Sequence, residues 1–275
     1  EQSDFDVRRR TLIMTHSPDR KQQFKTTGPI GGCMEQAYLQ IAAVVISAVL
    51  SLEAYKLQCL TKDGAVASFL VGGVVGVFAS INAFFLLTIF TICGFVATLK
   101  DFDKKVEEGV QEGRHGERTA KNVFGVGIPP CVVVTLNAFG LLNPEQFAIM
   151  FISTITVASA DTIASEIGIR DKKVYMITTF ERTEPGINGG VSVLGTTIST
   201  VTALVIAVIG WVAITESFSL LFLIPFAMGV LGNILDSVFG AVLENSGYIS
   251  KYTNNCSTAM IGAFVGLGIC FLLGI

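Results

Sequence analysis

Long apolar runs are the feature that most constrains the fold of this chain of 275 residues. A helix needs about 20 apolar residues to cross the roughly 30 Å hydrocarbon layer of a bilayer. Eight runs come close to that length, near residues 37–55, 64–80, 82–99, 123–142, 145–164, 191–214, 217–240 and 254–275. The run at 64–80 is short and rich in glycine, so a re-entrant segment is an alternative there. We therefore predict an all-α, polytopic membrane bundle of seven to eight transmembrane helices.

Composition supports membrane insertion and excludes several other classes of protein. Hydrophobic residues make up 51% of the chain and charged residues only 15%, which is too few to cover a water-soluble globule of this size. A net charge of -3 offers no basic field for nucleic acid, so we expect no nucleic-acid partner. The six cysteines form no CxxC pair and there are only two histidines, so any metal should be hard and oxygen-bound.

The distribution of lysine and arginine predicts the orientation, because these residues are retained on the cytoplasmic side of a membrane. They cluster after the first, third, fifth and seventh runs, whereas the connections around 81, 142–144 and 215–216 contain none. We therefore expect a multi-pass protein of a prokaryotic plasma membrane, with its polar helix ends and active site facing the cytoplasm.

Residues 1–33 contradict this orientation, since they carry cations but would lie outside. The segment is polar and has no apolar periodicity. We predict that it is an extension, either not native or disordered, ahead of a single transmembrane catalytic domain at 34–275. A natural flexible tail is the alternative.

Three carboxylates near the ends of apolar runs indicate a metal site. Each ionisable group there costs about 2.5–3.5 kcal/mol on insertion scales, so its presence needs a reason. Asp161 and Glu166 close the fifth run and Asp236 lies near the end of the seventh. We predict that these three residues are catalytic and hold Mg²⁺, with interhelical hydrogen bonding as the alternative. Glu166 is turned about 140° from Asp161 on a regular helix, so both can hold one cation only if the helix unwinds near Gly168.

A glycine-rich loop, residues 186–192, comes directly before the sixth run. Backbone N–H groups in such a loop can approach an anion at the positive end of the following helix, so we predict a phosphate site. An ordinary turn capped by Asn188 or Ser192 is the alternative. Most of the basic loop 100–122 we interpret as a solvated connector. The predicted nucleotide- and phosphate-binding residues are Arg118, Lys121, Arg182, Asn188, Gly189, Gly190, Ser192, Asn254 and Asn255.

Two specific blocks occur in the order and spacing of a known family. They are Asp161-Thr162-x-Ala164-Ser165-Glu166 and Gly186-x-Asn188-Gly189-Gly190-Val191, and they are accompanied by Lys62-x-Gly64-Ala65, Gly116-Glu117-Arg118, Asp236-Ser237-x-x-Gly240-Ala241 and Asn254-Asn255. Over about residues 34–275 the chain resembles the integral-membrane family that includes transmembrane protein 19 and the plant phytyl-phosphate kinases. That family is distantly similar to phytol and dolichol kinases and to CDP-diacylglycerol synthases. Ile163, Asp63 and Val126 depart from its usual tryptophan, serine and asparagine.

The resemblance implies an isoprenoid phosphate kinase. Such an enzyme transfers a phosphoryl group from a nucleoside triphosphate, with CTP favoured, to an isoprenyl monophosphate in the lipid bilayer. Mg²⁺ is the implied cofactor. A prenol kinase and a CTP:lipid cytidylyltransferase are the alternatives among enzymes, and an ion-coupled transporter is the alternative from another class. A non-catalytic membrane scaffold is a third reading, and the sequence leaves a homodimer open.

Overall fold

The computed structural model describes residues 29–111 and 113–275, most of which are helical. The long helices are α1 (Pro29–Lys56), α2 (Lys62–Phe78), α3 (Ile81–Leu99), α5 (Ala120–Ala138), α6 (Pro144–Gly168), α7 (Val193–Thr215), α8 (Leu223–Phe239) and α9 (Lys251–Leu273). Each contains most of one predicted apolar run, so the all-α membrane fold is confirmed. Two compact units divide the chain at Leu39 and Gln40, and the bundle considered below lies within Gln40–Ile275.

Shorter elements connect the long helices. A short helix, α4 (Phe102–Glu107), follows α3, a 3-10 turn (Leu220–Phe222) precedes α8, and a π-helical turn (Gly240–Glu244) follows it. Three strands lie between α6 and α7, namely β1 (Val174–Met176), β2 (Arg182–Thr183) and β3 (Gly190–Val191). They form an antiparallel sheet in the order β2-β1-β3, in which Val174 lies opposite Thr183 and Tyr175 opposite Val191.

The predicted number of transmembrane helices is wrong. Within the described residues, six helices are long and apolar enough to cross a membrane, rather than seven or eight. Helix α2 has only 17 residues, which at 1.5 Å per residue is shorter than the hydrocarbon layer. Helix α5 begins with Ala120, Lys121 and Asn122 and contains Pro129 and Pro130, and it is not among the helices that are long and apolar enough to cross a membrane. The six spans are Met34–Lys56, Ile81–Leu99, Pro144–Gly168, Val193–Thr215, Leu220–Glu244 and Lys251–Leu273.

The predicted boundary between residues 33 and 34 stays a prediction. Residues 1–28, which make up most of the predicted extension, lie outside the described residues. Helix α1 begins at Pro29, before that boundary.

The helices of the bundle run between two ends that differ in polarity. At one end, side-chain amides tie helix ends together through backbone carbonyls. The bonds are Gln40 Nε2 to Val77 O (2.9 Å), Asn82 Nδ2 to Ala213 O (2.7 Å) and Gln146 Nε2 to Ile275 O (3.1 Å). The opposite ends of the same helices carry most of the charged groups, and we call them the polar end. Helix α2 is one continuous helix, and the alternative of a re-entrant segment there stays a prediction.

Helix α6 lies at the centre of the bundle. Its side chains are buried over most of its length, including those of Phe151 and Ile152. Helix α8 approaches it closely at Gly232, where a Cβ atom would lie 2.5 Å from a methyl carbon of Val157. Asp161 and Asp236 each follow one of these contact residues by four positions, which is about one helical turn. The close crossing therefore brings the two aspartates to the same place.

A leucine at this crossing tests the packing. We expect Gly232→Leu to lower the free energy of unfolding by about 1–3 kcal/mol or more, because the added side chain has no space beside Val157. The matched control is Gly268→Leu in α9, where no atom lies within 4 Å of the added Cβ. Thermal unfolding in detergent would compare the two variants. Equal unfolding temperatures would show that α8 and α6 do not depend on this contact.

Candidate functional site

Asp161 and Asp236 meet at the polar end of the bundle. Their carboxyl groups lie within hydrogen-bonding reach of each other, and Nδ2 of Asn233 lies 3.5 Å from Oδ1 of Asp161. The amide of Asn255, in the orientation that satisfies its neighbours, donates to Oδ1 of Asp236 at 3.2 Å. The structure thus brings together three of the predicted site residues, Asp161, Asp236 and Asn255.

A lysine and a third acid lie beside this pair of aspartates. Lys251, the first residue of α9, interacts electrostatically with Asp161, Asp236 and Glu244. Asn254 is completely buried, and its Nδ2 donates to the Asp236 carbonyl at 2.9 Å and to Oε1 of Glu244 at 2.6 Å. Asn254 therefore joins α9 to the end of α8 and supports the position of Asp236.

Glu166, predicted to share a metal with the two aspartates, belongs to a different group of charges. Its Oε2 lies 2.7 Å from Nζ of Lys105, and its Oε1 lies 2.7 Å from Nη2 of Arg118. The Thr98 hydroxyl also donates to Oε1, at 2.8 Å. Both carboxylate oxygens of Glu166 are therefore engaged by cations of the chain itself.

The described residues contain no group of three His, Cys, Asp or Glu side chains arranged to hold a metal ion. The three carboxylates expected from the sequence to act together have different partners: Asp161 lies beside Asp236, and both oxygens of Glu166 are bound to Lys105 and Arg118. Arg118 also interacts electrostatically with Asp161. The regular helix across residues 161–166 explains this separation, since it turns Glu166 away from Asp161.

The positive end of α7, where the sequence predicts a phosphate, is occupied by acceptors of the chain itself. The Ser192 hydroxyl oxygen accepts from the backbone N–H of Gly195 at 3.0 Å. The Asp171 carboxylate accepts from Lys173 N at 2.9 Å and from Leu194 N at 3.5 Å. These hydrogen bonds, chiefly the one from Lys173, hold the pKa of Asp171 below its ordinary value. An incoming phosphate would have to compete with this carboxylate.

The glycines of the predicted phosphate loop pack against the end of α8. Gly189 is buried at a φ of +82°, and a Cβ atom there would lie 2.5 Å from the Cβ of Ala241. Gly190 belongs to β3. The Asn188 carbonyl accepts from Nδ2 of Asn245 at 3.0 Å, whereas Asn188 as a whole is exposed. Close packing against Ala241 thus explains why residue 189 is a glycine. Phosphate binding by this loop stays a prediction.

The two other predicted cations of the phosphate site lie on the surface. Arg182 is exposed on β2, and its Nη2 donates to the Lys172 carbonyl at 3.4 Å. Lys121 is exposed in the first turn of α5. Their roles in binding phosphate also stay predictions.

An apolar cleft of about 370 Å³ leads from the polar end into the bundle. Its polar end is lined by Arg118, Asn122, Lys251 and Asn255, and by Thr162 next to the aspartate pair. Its remaining wall consists of apolar, hydroxyl, cysteine and glycine residues from α1, α2, α3 and α5 and the α1–α2 connection, together with Tyr252 of α9. The cleft therefore has the polarity of an amphiphile with a long apolar chain and an anionic head.

The cleft is open on one side, and buried residues lie at its far end. Leu57 of the α1–α2 connection and Ile92 and Val96 of α3 line it and are 72%, 54% and 64% exposed, so it is accessible from the surface of the bundle beside α3. In a membrane this opening would face lipid. Phe84, which is only 2% exposed, and Gly72 lie at the far end, which we call the floor of the cleft.

Lys105 and Lys251 were not predicted as site residues. Lys251 precedes Asn254 and Asn255 by three and four positions, a spacing that places residues on one helical face and could have indicated its role. Lys105 had no such signal, because nothing in the sequence distinguishes it from the adjacent Lys104. In the structure Lys105 is buried and Lys104 is exposed. The interpretation of the 100–122 loop as a solvated connector is therefore wrong at Lys105.

Comparison with known proteins gives a family match and several relatives. Residues 45–267 match the family described as integral membrane protein DUF92. An uncharacterized membrane protein of Methanocaldococcus jannaschii is 29% identical over 235 residues, which are 85% of this chain and 95% of the relative. An uncharacterized membrane protein of Synechocystis is 27% identical over 241 residues, covering 85% and 92%. Protein VTE6, chloroplastic, of Arabidopsis thaliana is 27% identical over 221 residues, covering 78% and 65%. No solved structure matches.

A valine at Gly189 separates packing from backbone strain. We expect Gly189→Val to lower the unfolding temperature more than Gly247→Val, since both positions have a positive φ but only Gly189 packs against another atom within 4 Å. Thermal unfolding in detergent, without nucleotide, makes the comparison. If Gly189→Val instead unfolded like Gly247→Val and lost only nucleotide affinity, the loop would be the phosphate site that the motif predicts.

Proposed function

The chain belongs to the DUF92 family of integral membrane proteins, and on this premise we propose that it is a prenyl-phosphate kinase. The donor is a nucleoside triphosphate, with CTP favoured, and the acceptor is a prenyl monophosphate in the bilayer. An acceptor phosphate oxygen attacks the γ-phosphorus of the donor. The bond between that phosphorus and the β,γ-bridging oxygen breaks, so the products are the prenyl diphosphate and the nucleoside diphosphate.

The position of the cleft carries this proposal. An apolar cleft that opens sideways to lipid ends at Arg118 and Lys251, next to Asp161 and Asp236. A prenyl chain can occupy the cleft while its phosphate lies against the two cations. Burial of the chain stabilises binding by about 25 cal/mol for each Å² of apolar surface removed from water. The phosphate then lies beside the acidic pair, where phosphoryl transfer can take place.

The aspartate pair fits Mg²⁺ held together with a polyphosphate. In such sites the ion is bound by one or two carboxylates and by phosphate oxygens, so three protein carboxylates are not required. Two carboxyl groups within hydrogen-bonding reach repel each other when both are charged, and a bound cation relieves that repulsion. Asp161 and Asp236 would hold the ion, which supplies charge neutralisation for the triphosphate. Glu166 is left out of this set because its oxygens are bound to Lys105 and Arg118.

The residues of the chain act mainly by holding two anions close together. A phosphate monoester is already an anionic nucleophile, so its attack needs little help from a general base. Repulsion between acceptor and donor is the main obstacle, and Arg118 and Lys251 would offset it in a loose, in-line transfer. Asn188, which is exposed and lies beside Gly240 at the end of α8, remains the predicted contact with the nucleotide. We place this polar end on the cytoplasmic side, as the distribution of lysine and arginine predicts.

A transfer assay tests the reaction. We expect purified protein with Mg²⁺ to move label from the γ position of CTP to geranylgeranyl phosphate, and to use geranylgeraniol poorly. Asp161→Asn and Asp236→Asn should each abolish transfer and leave the unfolding temperature unchanged or higher, because each removes one of two facing charges. Glu145→Gln, in the first turn of α6 near the other end, is the control and should keep full activity.

Other outcomes of this assay would overturn the proposal. A CDP-lipid product would mean cytidylyl transfer, and preferred use of the alcohol would mean a prenol kinase. Uptake into proteoliposomes driven by a proton or sodium gradient, without nucleotide turnover, would indicate a transporter.

The floor of the cleft should control the length of the prenyl chain. Phe84 is buried at the floor, whereas the adjacent Phe85 is 50% exposed and does not line the cleft. We expect Phe84→Ala to raise kcat/KM for long prenyl phosphates relative to short ones by about tenfold, since a missing side chain in an apolar pocket changes binding by about 1–3 kcal/mol. Phe85→Ala should leave that ratio unchanged. An equal shift in both variants would remove Phe84 as the determinant.

A further inference from the structure

Three charged side chains, one buried and two partly buried, form a connected group at the polar end of the cleft. Glu166 lies 2.7 Å from Lys105 on one carboxylate oxygen and 2.7 Å from Arg118 on the other. Their side chains are 10%, 4% and 17% exposed, respectively. The residues come from three separate segments: the end of α6, α4, and the connection before α5. Charges this well buried cost much free energy unless each is paired, so the pairing itself needs a reason.

Lys105 is committed to this group. Besides Glu166, its Nζ donates to the carbonyls of Ala97 and Thr98, at 3.1 and 3.0 Å. Both carbonyls lie in the last turn of α3, where carbonyl groups lack partners within the helix and carry partial negative charge. Three acceptors therefore surround the three N–H donors of the ammonium group. Lys105 has no access to the cleft, since it is 3% exposed and not part of the cleft wall.

Arg118, by contrast, reaches the cleft. Its Nη2 donates to Oε1 of Glu166 and to the Thr98 hydroxyl, both at 2.7 Å, and its side chain also lines the polar end of the cleft. Its backbone is held as well, by Arg118 N to Cys59 O at 2.9 Å and Thr61 N to Arg118 O at 3.1 Å. Glu166 and Thr98 thus determine the direction of a guanidinium group whose main chain is already anchored.

The sum of charges explains why a second cation is present. Glu166 alone would neutralise Arg118 and weaken its attraction for an anion in the cleft. With Lys105 added, the three groups carry a net charge of about +1 at neutral pH, given the ordinary charge states of these side chains. Lys105 therefore balances Glu166, so that Glu166 does not neutralise Arg118. Arg118 also interacts electrostatically with Asp161, which lies at the same polar end.

We infer that Glu166 is a positioning residue, balanced by Lys105, that orients Arg118 toward the phosphate of a prenyl phosphate and does not bind metal. The ligand in this inference rests on the proposed function. Lys105 and Glu166 act through Arg118, so their effect is specific for an anionic head group. The apolar wall, which binds the chain, does not depend on them.

Equilibrium binding of two lipids tests the inference without nucleotide or metal. The probes are geranylgeranyl phosphate and geranylgeraniol, added to purified protein in detergent. We expect Lys105→Met to weaken binding of the phosphate by about tenfold, since the unbalanced charge of Glu166 then reduces the attraction of Arg118 for an anion, and to leave alcohol binding unchanged. The double variant Lys105→Met/Glu166→Gln should regain much of the affinity, because the negative charge of Glu166 is removed together with the positive charge of Lys105, while the amide oxygen of the glutamine still accepts from Arg118. Lys104→Met is the control, since Lys104 is 71% exposed and should show no effect.

The Mg²⁺ dependence of transfer supplies the second measurement. If Glu166 only positions Arg118, the double variant needs the same Mg²⁺ concentration for half-maximal activity as the wild-type chain. If Glu166 binds the metal, the double variant needs a higher Mg²⁺ concentration for half-maximal activity than the wild-type chain. That result would overturn the inference. Equal loss of phosphate and alcohol binding in Lys105→Met would also overturn it, by indicating a purely structural pair.

Failure of the inference can be told from failure of the proposed function. The inference alone is contradicted if the wild-type chain binds the phosphate more tightly than the alcohol and Lys105→Met binds the phosphate as tightly as the wild-type chain does. A wild-type chain that binds both lipids equally contradicts the proposed function and the inference with it.

Discussion

The close crossing of α8 over α6 determines where the acidic groups of this protein meet. Gly229 and Gly232 allow the two helices to approach until a Cβ atom would overlap with Thr156 or Val157. Membrane helices associate largely by such packing, because surrounding lipid offers little hydrophobic driving force between them. One turn beyond this crossing, Asp161 and Asp236 face each other. The position of the aspartate pair is therefore a consequence of two glycines in the middle of α8.

Charge compensation divides the carboxylates of the polar end into two kinds. Glu166 is paired with Lys105 and Arg118, so it is balanced by the protein itself. Asp161 and Asp236, with Glu244 nearby, have more negative charge than Lys251 can balance. A carboxylate whose charge is neutralised by cations of the protein is suited to a structural role. Carboxylates whose charge is not neutralised in this way are suited to bind a cation that arrives with a substrate. The proposed roles of the two groups follow from this difference.

The sequence predicts the helices of this fold well and the site less completely. Apolar runs identify α1 to α9 apart from the short α4, because burial in lipid demands long apolar helices. The number of spans was overestimated because apolar content alone does not register the shortness of α2 or the prolines of α5. Asp161, Asp236 and Asn255 are predicted from the sequence because polar residues at the ends of apolar runs need a reason, and the structure brings these three side chains together.

Other features of the site depend on long-range contacts that no local pattern contains. Lys105 is buried because Glu166, 61 residues later, lies opposite the end of α3. Gly189 is a glycine because Ala241 packs on it, although the same motif is typical of a phosphate loop. The sequence alone does not distinguish these cases, since both require a residue without a side chain.

Photocrosslinking tests most directly whether the apolar cleft and the aspartate pair form one lipid-phosphate site. A geranylgeranyl phosphate with a photoreactive group in its chain would be bound to the wild-type protein, irradiated and mapped by mass spectrometry. We expect labels on residues that line the cleft, such as Thr91, Phe95 and Val126, and loss of these labels in competition with unmodified prenyl phosphate. Labels confined to the outer faces of α7 and α9, unchanged by the competitor, would contradict it.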